Sequence, residues 1–306
     1  MRAVMGGRSP NLCRRRRDAG LRPRARARGN RAEVQSTPHR IDLMDATING
    51  ARIHYERAGA GLPLVLLHAG IADVRMWEPQ IGAFAHQFDV IAPEVRGFGS
   101  SELPPERWSP IADILGLIER LHLKPVHLIG CSLGAMLAID FALEHPDRIS
   151  KLVLVGPAIG GANFGTKYPE VFAEAKAAEE SGNIDAQNLA EMHLFLDGPR
   201  RRRGYVKEPL RDLFLKMNRP NLRIDWESAP SPDLNPPAAE RLHEITAPVL
   251  VIVGDEDVPT IFDAVDLLME KVPHAKKAVI HDSAHLPNLE HPEEFNRLVL
   301  DFLLAD

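Results

Sequence analysis

The sequence predicts an α/β protein built on a doubly wound, mostly parallel β-sheet. Short runs of almost purely apolar residues recur along the chain, and helical stretches such as Leu133–Glu144 separate them. Apolar runs without alternation are typical of strands that are buried on both faces of a parallel sheet. Strands that alternate with helices need crossover connections, which produce this architecture. The predicted strands are residues 63–67, 88–92, 126–129, 151–155, 249–253 and 278–281, and a further helix is predicted over 261–271.

A β-hairpin is predicted at the start of this fold. The segments ATI and ARIHYE are short alternating runs, and Asn49 and Gly50 lie between them. Asn-Gly readily adopts the positive φ angles of a two-residue hairpin turn. The sheet is therefore expected to begin with an antiparallel pair of strands from Ala46.

An arginine-rich extension precedes the hairpin. Residues 1–40 hold 12 of the 37 Lys and Arg residues and only 2 of the 42 Asp and Glu residues, which gives them a net charge of +10. With few large apolar residues, residues 1–43 cannot offset the entropy of ordering, and we expect them to be disordered. We favour an inert or spurious segment upstream of Met44 over a transit peptide or a nucleic-acid-binding arm. The apolar stretch of a secretory signal is missing, and a cytoplasmic location is expected.

The rest of the chain is acidic, with a net charge of −15. Nucleic-acid binding needs a face rich in lysine and arginine, so no nucleic-acid partner is expected for this body. No apolar run approaches the roughly 20 residues of a membrane-spanning helix, so no membrane partner is expected either. The two cysteines, Cys13 and Cys131, are too few for a disulfide framework or a cysteine-based metal site.

Residues 160–245 interrupt the alternation of strands and helices. This interval contains polar-rich helical segments at 169–181, 185–196 and 209–217 and no convincing buried strand. The helix-breaking sequence PSPDLNPP separates these helices from the next strand. We therefore predict a helical cap over 160–245, inserted into an α/β core formed by residues 44–159 and 246–306.

A candidate nucleophile lies where an apolar strand meets a helix. The sequence Gly130-Cys131-Ser132-Leu133-Gly134 is a G-x-S-x-G motif with a strand before it and a helix after it. So tight a turn strains the backbone of the serine and requires Gly130 and Gly134 beside it. The amides at the start of the new helix would favour a developing negative charge next to Ser132.

A serine is a weak nucleophile and needs an oriented base. The candidate base is His285, just past the last apolar strand, and the candidate carboxylate is Asp257, in the turn after the penultimate strand. Ser132, Asp257 and His285 follow one another in the chain order of α/β-hydrolases. In a parallel sheet all three would lie at the carboxyl ends of strands, where ligand sites form.

With these motifs the chain resembles the α/β-hydrolase fold superfamily, in its branch with a serine nucleophile and a helical cap. Within it, the chain resembles the group that contains 3-oxoadipate enol-lactonases, carboxylesterases and cofactor-free haloperoxidase-like enzymes. The motifs run from HAG to HPEEF, so the resemblance covers residues 45–305. PEVRGFGSS, at 93–101, matches a structural turn of the family, with Glu94 where aspartate is usual.

The resemblance also implies the oxyanion hole. Family members have His-Gly-x after the strand at 64–67, and here the run is His68-Ala69-Gly70, with Ala69 in place of the usual glycine. The backbone N–H groups of Gly70 and Leu133 would form the hole.

The family's G-x-x-D turn selects the catalytic carboxylate. Counted from Gly254, this turn favours Asp257 over its neighbours Asp255 and Glu256.

The function implied is a serine hydrolase that cleaves a small carboxylic ester or lactone through an acyl-enzyme, without a metal or another cofactor. We call the strand–turn–helix motif at residues 130–134 the nucleophile elbow. A serine at its centre argues against dehalogenases and epoxide hydrolases, which resemble the chain but use aspartate there. Carbon–carbon bond hydrolysis, cofactor-free perhydrolysis, a lyase reaction and acyl transfer on the same triad remain alternatives. A non-catalytic small-molecule receptor of the same fold is an alternative from another class.

Other residues have plainer interpretations. His281, four residues before His285, is expected to pack at a strand end and not to bind a metal. Cys131 is interpreted as a packing residue beside the nucleophile. Residues 200–203, all arginine, are expected to form a solvated charged loop in preference to a site for an acidic substrate. Four apolar residues are candidates for a pocket lining, although such residues are more often core: Trp77, Met192, Phe195 and Trp226.

Overall fold

A computed structural model of the chain describes residues 40–104, 107–164, 167–224 and 234–305. The strands in these residues are β1 (Asp42–Ile48), β2 (Ala51–Gly59), β3 (Leu62–Leu67), β4 (Phe88–Pro93), β5 (Val126–Cys131), β6 (Ile149–Val155), β7 (Val249–Gly254) and β8 (Lys276–Ile280). They form one eight-stranded sheet in the order β1-β2-β4-β3-β5-β6-β7-β8. The β1–β2 and β2–β4 pairs are antiparallel, and every other pair is parallel. The predicted mostly parallel sheet with an N-terminal hairpin is confirmed.

Helices cover both faces of the sheet, because successive strand residues point to opposite sides. Val65 and Leu67 of β3 belong to one core cluster, and Leu64 and Leu66 to the other. The first cluster includes residues of α2 (Pro110–Arg120), α3 (Leu133–Glu144) and α8 (Pro259–Lys271). The second includes residues of α1 (Glu78–Phe84), α9 (Pro287–Glu290) and α10 (Pro292–Leu304). The doubly wound arrangement follows from this division.

The two edges of the sheet differ from the sequence-based expectation. β1 begins at Asp42, so two residues of the predicted extension are strand, and residues 1–39 lie outside the described part of the chain. The turn at Asn49 and Gly50 has the expected positive φ angles, 46° and 83°. β8 is an edge strand, and Val279 within the predicted run 278–281 is 37% exposed, so the prediction of full burial is wrong there.

The regular secondary structure in the described residues of the cap interval is helical. It contains α4 (Pro169–Glu180), α5 (Ile184–Met192), a π-helical turn (His193–Asp197), α6 (Leu210–Asn221) and the short α7 (Ala238–Arg241). Within the described residues of 160–245 there is no strand. Ala238 of α7 is buried in the core cluster that contains α3, so the end of the interval packs on the core. None of the helices in the described residues is long and apolar enough to cross a membrane.

Helix α6 extends four residues beyond its predicted end and includes Pro220 in its last turn. Proline has no N–H to donate to the carbonyl four residues earlier, which here belongs to Lys216. The side chain of Arg75, from the segment between β3 and α1, donates to that carbonyl from Nη2 at 3.2 Å. A residue of the α/β core thus donates the hydrogen bond to Lys216 that the proline cannot.

Candidate active site

Ser132 lies between the last residue of β5 and the first residue of α3. Its backbone has φ 53° and ψ −111°, a region that residues other than glycine rarely adopt and that is found at strained functional turns. Its N–H donates to the carbonyl of Val155 in β6 at 2.9 Å. The serine is therefore held at the carboxyl edge of the sheet, next to the first amide of α3.

The two glycines of the elbow permit backbone contacts that a side chain would block. A Cβ added to Gly130 would lie 2.2 Å from the carbonyl oxygen of Gly134. A Cβ added to Gly134 would lie 2.2 Å from the carbonyl oxygen of Leu67 in β3. Since backbone cannot move aside cheaply, glycine is required at both positions.

His285 and Asp257 form a buried hydrogen-bonded pair. Nδ1 of His285 lies 2.9 Å from Oδ1 and 3.0 Å from Oδ2 of Asp257, and the two side chains are only 2% and 1% exposed. Asp257 Oδ1 also accepts the N–H of Val258 at 2.7 Å. Because an ionised carboxylate can only accept hydrogen bonds, Nδ1 carries the proton and Nε2 keeps its lone pair. The imidazole can therefore take a proton at Nε2.

Backbone hydrogen bonding brings the two partners together. Asp257 lies in the turn after β7, and His285 lies in the loop after β8, which we call the histidine loop (residues 281–286). The N–H of Glu256 in the turn donates to the carbonyl of Ser283 in the loop at 2.8 Å. This bond holds the turn against the histidine loop.

Gly156 connects the pair to the elbow. It directly follows Val155, whose carbonyl accepts the N–H of Ser132. Its φ is +48°, and a Cβ there would lie 3.0 Å from Nδ1 of His285 and 3.2 Å from Oδ2 of Asp257. The structure thus brings the serine, histidine and aspartate to one part of the sheet edge. Sequence reasoning missed Gly156, although a glycine directly after an apolar strand is a signal for such a close approach.

Gly70 and Leu133, the expected oxyanion-hole residues, lie close together. A Cβ on Gly70 would lie 3.6 Å from both Cβ and Cδ2 of Leu133, an ordinary van der Waals distance. We call residues 68–72, which connect β3 to this contact, the oxyanion loop. Leu133 is the first residue of α3, and its N–H has no acceptor within the helix.

His68 orients the peptide that carries the N–H of Gly70. Its Nδ1 lies 2.9 Å from the carbonyl oxygen of Ala69, which also accepts the N–H of Ala72 at 3.0 Å. Its Nε2 accepts the N–H of Val95 at 3.1 Å, which makes Nδ1 the protonated nitrogen. Complete burial lowers the pKa of His68 and keeps the ring neutral. The side chain of Ala69 is itself fully buried.

The cap contacts the histidine loop directly. The N–H of His285 donates to the carbonyl of Phe195 at 3.0 Å, and the two rings lie 5.2 Å apart between centroids. Arg201 bonds Asp282 from Nη2 at 2.7 Å and is only 7% exposed. Tyr205 donates its hydroxyl to the same carboxylate at 2.7 Å. The expectation of a solvated arginine loop is therefore wrong for Arg201, because a partner distant in sequence covers it.

Glu290, the last residue of α9, also supports the histidine loop. Its Oε1 accepts the hydroxyl of Ser283 at 2.9 Å and the N–H of Ala284 at 2.8 Å. Its Oε2 lies 3.7 Å from Nη1 of Arg201. Burial raises the pKa of Glu290 to about 7, and these contacts together with the charge of His291 offset only part of the rise.

The rivals of the candidate residues have other partners. Asp255 binds His281 at 2.8 Å, and Glu256 binds Arg200 at 3.0 Å. The side chain of His281 is 84% exposed, so its assignment as a packing residue is wrong. Cys131 is fully buried, and burial raises the pKa of its thiol. Among the described residues, no group of three or more His, Cys, Asp or Glu side chains could hold a metal ion.

The four candidate pocket-lining residues lie in different environments. Trp77 is fully buried and packs near Phe295, so it belongs to the core, and Met192 is also buried in that cluster. Phe195 lies beside the histidine, while Trp226 is outside the described residues. A cavity of about 870 Å³ has a largely apolar lining that includes Met136, Ile159, Phe164, Phe172, Lys176 and Ile261. Met136 is one helical turn after Ser132 in α3, but neither Ser132 nor His285 lines the cavity.

Comparison with known proteins gives a consistent picture. Residues 64–298 match the model of a family described as the alpha/beta hydrolase family. A relative from Paraburkholderia phymatum, named 2-hydroxy-6-oxononadienedioate/2-hydroxy-6-oxononatrienedioate hydrolase, is 30% identical over 276 residues, which cover 82% of this chain and 91% of the relative. The crystal structure of an enol-lactonase from Burkholderia xenovorans has a TM-score of 0.69 at 25% identity, and the match covers 86% of this chain and 100% of that one. For the crystal structure of a bromoperoxidase from Bacillus anthracis, the TM-score is 0.71 at 27% identity, with 86% and 100% covered.

Proposed function

The chain belongs to the alpha/beta hydrolase family, and from this premise we propose that it is a serine hydrolase acting on a small carboxylic ester or lactone. The observation that carries the proposal is the buried pair of His285 and Asp257 against Gly156, whose neighbour Val155 bonds the strained Ser132. A protonated Nδ1 and a free Nε2 are what a general base for serine needs.

The first half of the reaction forms an acyl-enzyme. Nε2 of His285 takes the hydroxyl proton of Ser132 while Oγ attacks the substrate carbonyl. Asp257 keeps the imidazole in the required tautomer and stabilises its charged form. The oxygen of the tetrahedral intermediate accepts hydrogen bonds from the N–H groups of Gly70 and Leu133. When the C–O bond to the leaving alcohol breaks, His285 returns the proton to that oxygen.

The second half releases the acid. A water molecule gives a proton to His285 and attacks the acyl carbon, and a second tetrahedral intermediate collapses with transfer of the proton to Ser132 Oγ. In a lactone, the leaving alcohol remains attached to the acyl group, so the product is one hydroxy acid. The loss of one oxyanion donor typically lowers the rate by about 10²–10³-fold.

A largely apolar cavity, lined in part by Met136 one helical turn after Ser132, supports a substrate with an apolar portion. It lies between the cap residues Phe164 and Phe172 and the core residues Met136 and Ile261. Pockets of this kind bury most of a small ligand and leave orientation to a few polar groups. We expect esters and lactones with a medium-length apolar acyl chain to be preferred over short ones.

A second candidate function is carbon–carbon bond hydrolysis. The Paraburkholderia relative, which spans most of both chains, is named as a hydrolase of oxo-dienedioate and trienedioate compounds. The same serine, histidine and aspartate would then act on a carbonyl whose leaving group is a carbon. If kcat/KM for such a vinylogous diketo acid exceeds that for every ester and lactone tested, this candidate replaces the first.

A fluorophosphonate probe tests the proposal directly. The folded protein should be labelled at Ser132, and Ser132→Ala should abolish labelling and lower kcat on a responsive ester or lactone by at least about 10³-fold. Ser150→Ala is the matched control, because that hydroxyl bonds the carbonyl of Pro125, distant from the elbow. Absence of labelling in folded protein would contradict the enzyme proposal and favour a receptor of the same fold.

A further inference from the structure

The last residue of α6 in the cap bonds the oxyanion loop of the core. Nδ2 of Asn221 donates to the carbonyl oxygen of Gly70 at 3.1 Å and to that of Ala72 at 2.9 Å. The amide nitrogen of asparagine carries two hydrogens, so each carbonyl can receive one. Asn221 is only 7% exposed, so water has little access to replace these bonds.

Gly70 is thereby held on both sides. The peptide before its Cα carries its N–H, and the carbonyl of that peptide, at Ala69, accepts bonds from His68 and Ala72. The peptide after its Cα carries the carbonyl that Asn221 holds. A glycine has no Cβ to limit rotation about φ and ψ, so contacts of this kind must fix the direction of its N–H.

We propose that Asn221 is a positioning residue that sets the direction of the Gly70 N–H in the oxyanion hole. The inference rests on the proposed serine hydrolase function and assigns the cap a part in the reaction besides covering the substrate. Donors in an oxyanion hole act through their fixed aim at the developing charge, so a small rotation of the peptide reduces their effect. Asn221 does not touch the reacting atoms and acts through Gly70.

The packing of α6 against the α/β core does not depend on Asn221 alone. Arg75 bonds the carbonyl of Lys216 at 3.2 Å, and Asp73 holds the guanidinium of Arg75 at 2.6 Å. Removal of the Asn221 amide should therefore leave the helix in place and release only the carbonyls of Gly70 and Ala72. This separation makes the inference testable by substitution.

The test compares Asn221→Ala and Asn221→Asp with Asn218→Ala. Asn218 is one turn earlier on α6, is buried, and donates its amide to Asn188 and Glu191 within the cap. Both alanine variants lose a buried amide from the same helix, but only one loses contact with the oxyanion loop. In Asn221→Asp an acceptor replaces the donor and faces two carbonyl oxygens, so its effect should be larger.

The readouts are kcat and KM on a responsive ester, and the affinity for an alkyl or aryl boronic acid, whose serine adduct is tetrahedral and anionic. We expect Asn221→Ala to lower kcat by about 10–100-fold and to weaken boronic acid binding by a similar factor, with KM changed by less than about 3-fold. Asn218→Ala should shift the urea midpoint but keep kcat and boronic acid affinity within about 3-fold of wild type.

Several results would overturn the inference. These are an unchanged kcat and boronic acid affinity in folded Asn221→Asp, or equal losses in the Asn218 and Asn221 alanine variants. If Asn221→Ala does not fold, Asn221→Ser, which keeps a donor too short for both carbonyls, is held to the same criteria. A wild-type protein that fails to react with fluorophosphonate overturns the proposed function and this inference together, whereas a reactive wild type isolates the inference.

Discussion

Arg201 in the cap and Asp282 in the histidine loop form an ion pair of 2.7 Å. The guanidinium also stacks on the ring of Tyr205, 4.3 Å from its centroid, and the Tyr205 hydroxyl bonds the same carboxylate. Asp282 has a φ of 55°, an unusual conformation for a residue other than glycine. The cap therefore holds the histidine loop at the residue that has a positive φ.

We predict that Arg201→Gln lowers the free energy of unfolding by about 1–3 kcal/mol, because it removes a buried guanidinium that bonds Asp282 and packs beside the Glu290 carboxyl. Arg203→Gln is the matched control, since its ion pair with Glu174 is exposed on both sides and should be worth less than about 1 kcal/mol. Urea unfolding of the two variants checks the prediction. Equal midpoints would mean that the buried arginine contributes no more than the exposed one.

Asp257→Asn should leave the fold intact and lower kcat by about 10³–10⁴-fold, because an amide does not hold the imidazole in the tautomer with a proton on Nδ1. Asp255→Asn, two residues earlier, removes a carboxylate that bonds the exposed His281 and the backbone of Asp282 and Ser283, and it should lower kcat by less than about 10-fold. Steady-state kinetics on one ester, with circular dichroism as a check on folding, compares them. A large loss in the Asp255 variant alone would reassign the carboxylate role.

Gly134→Ala should destabilise the protein by at least about 3 kcal/mol, because its Cβ would lie 2.2 Å from the backbone oxygen of Leu67. The control is Gly82→Ala in α1, where nothing lies within 4 Å of the new Cβ. That change removes a glycine from a helix and should stabilise the protein by about 0.5–1 kcal/mol. The thermal and urea unfolding midpoints of the two variants should shift in opposite directions from those of the wild type.

Glu290→Gln tests a pH dependence of stability. The pKa of Glu290 is raised from 4.5 to about 7 in the folded protein, so between these values the unfolded chain is ionised while the folded chain keeps its proton. The free energy of unfolding should therefore fall as pH rises through this range and level off above it. The groups facing the carboxyl, Arg201 and His291, offset the rise without cancelling it.

Because glutamine stays neutral, the free energy of unfolding of the variant relative to that of the wild type should rise by about 2–3 kcal/mol between pH 5 and pH 8. Urea unfolding at several pH values gives this difference. Glu293→Gln, at an exposed position in the first turn of α10, controls for the general loss of a negative charge. A constant difference between Glu290→Gln and wild type across this range would contradict the prediction.

The sheet and the elbow could be predicted from the sequence because their signals are local. An apolar run that ends in Gly130-Cys131-Ser132-Leu133-Gly134 contains the strand, the turn and the start of the helix within a few residues. The steric reason for the glycines acts over the same short distance, apart from the contact of Gly134 with β3. The ends of the later predicted strands shifted by at most two residues, whereas β1 begins four residues earlier and β2 ends three residues later than predicted, because pairing partners determine where a ladder stops.

The contacts made by the cap could not be predicted, because their partners lie far away in the chain. Arg201 and Asp282 are 81 residues apart, and a run of arginines viewed alone indicates a solvated loop. Asn221 is 151 residues from Gly70, and its acceptors are backbone carbonyls, which leave no pattern in a sequence. His281 follows an apolar run, but β8 is at the sheet edge, so solvent reaches the side chain.

The hydrogen bonds from the cap to both loops of the candidate site limit how the protein can be re-engineered. Phe195 bonds the histidine loop through its carbonyl, Arg201 through its guanidinium, and Asn221 bonds the oxyanion loop. A chimera that receives a foreign cap to change its substrate range would lose all three unless they are grafted with it. Under the proposed function, an exchange of the cap that alters substrate range would therefore alter turnover as well.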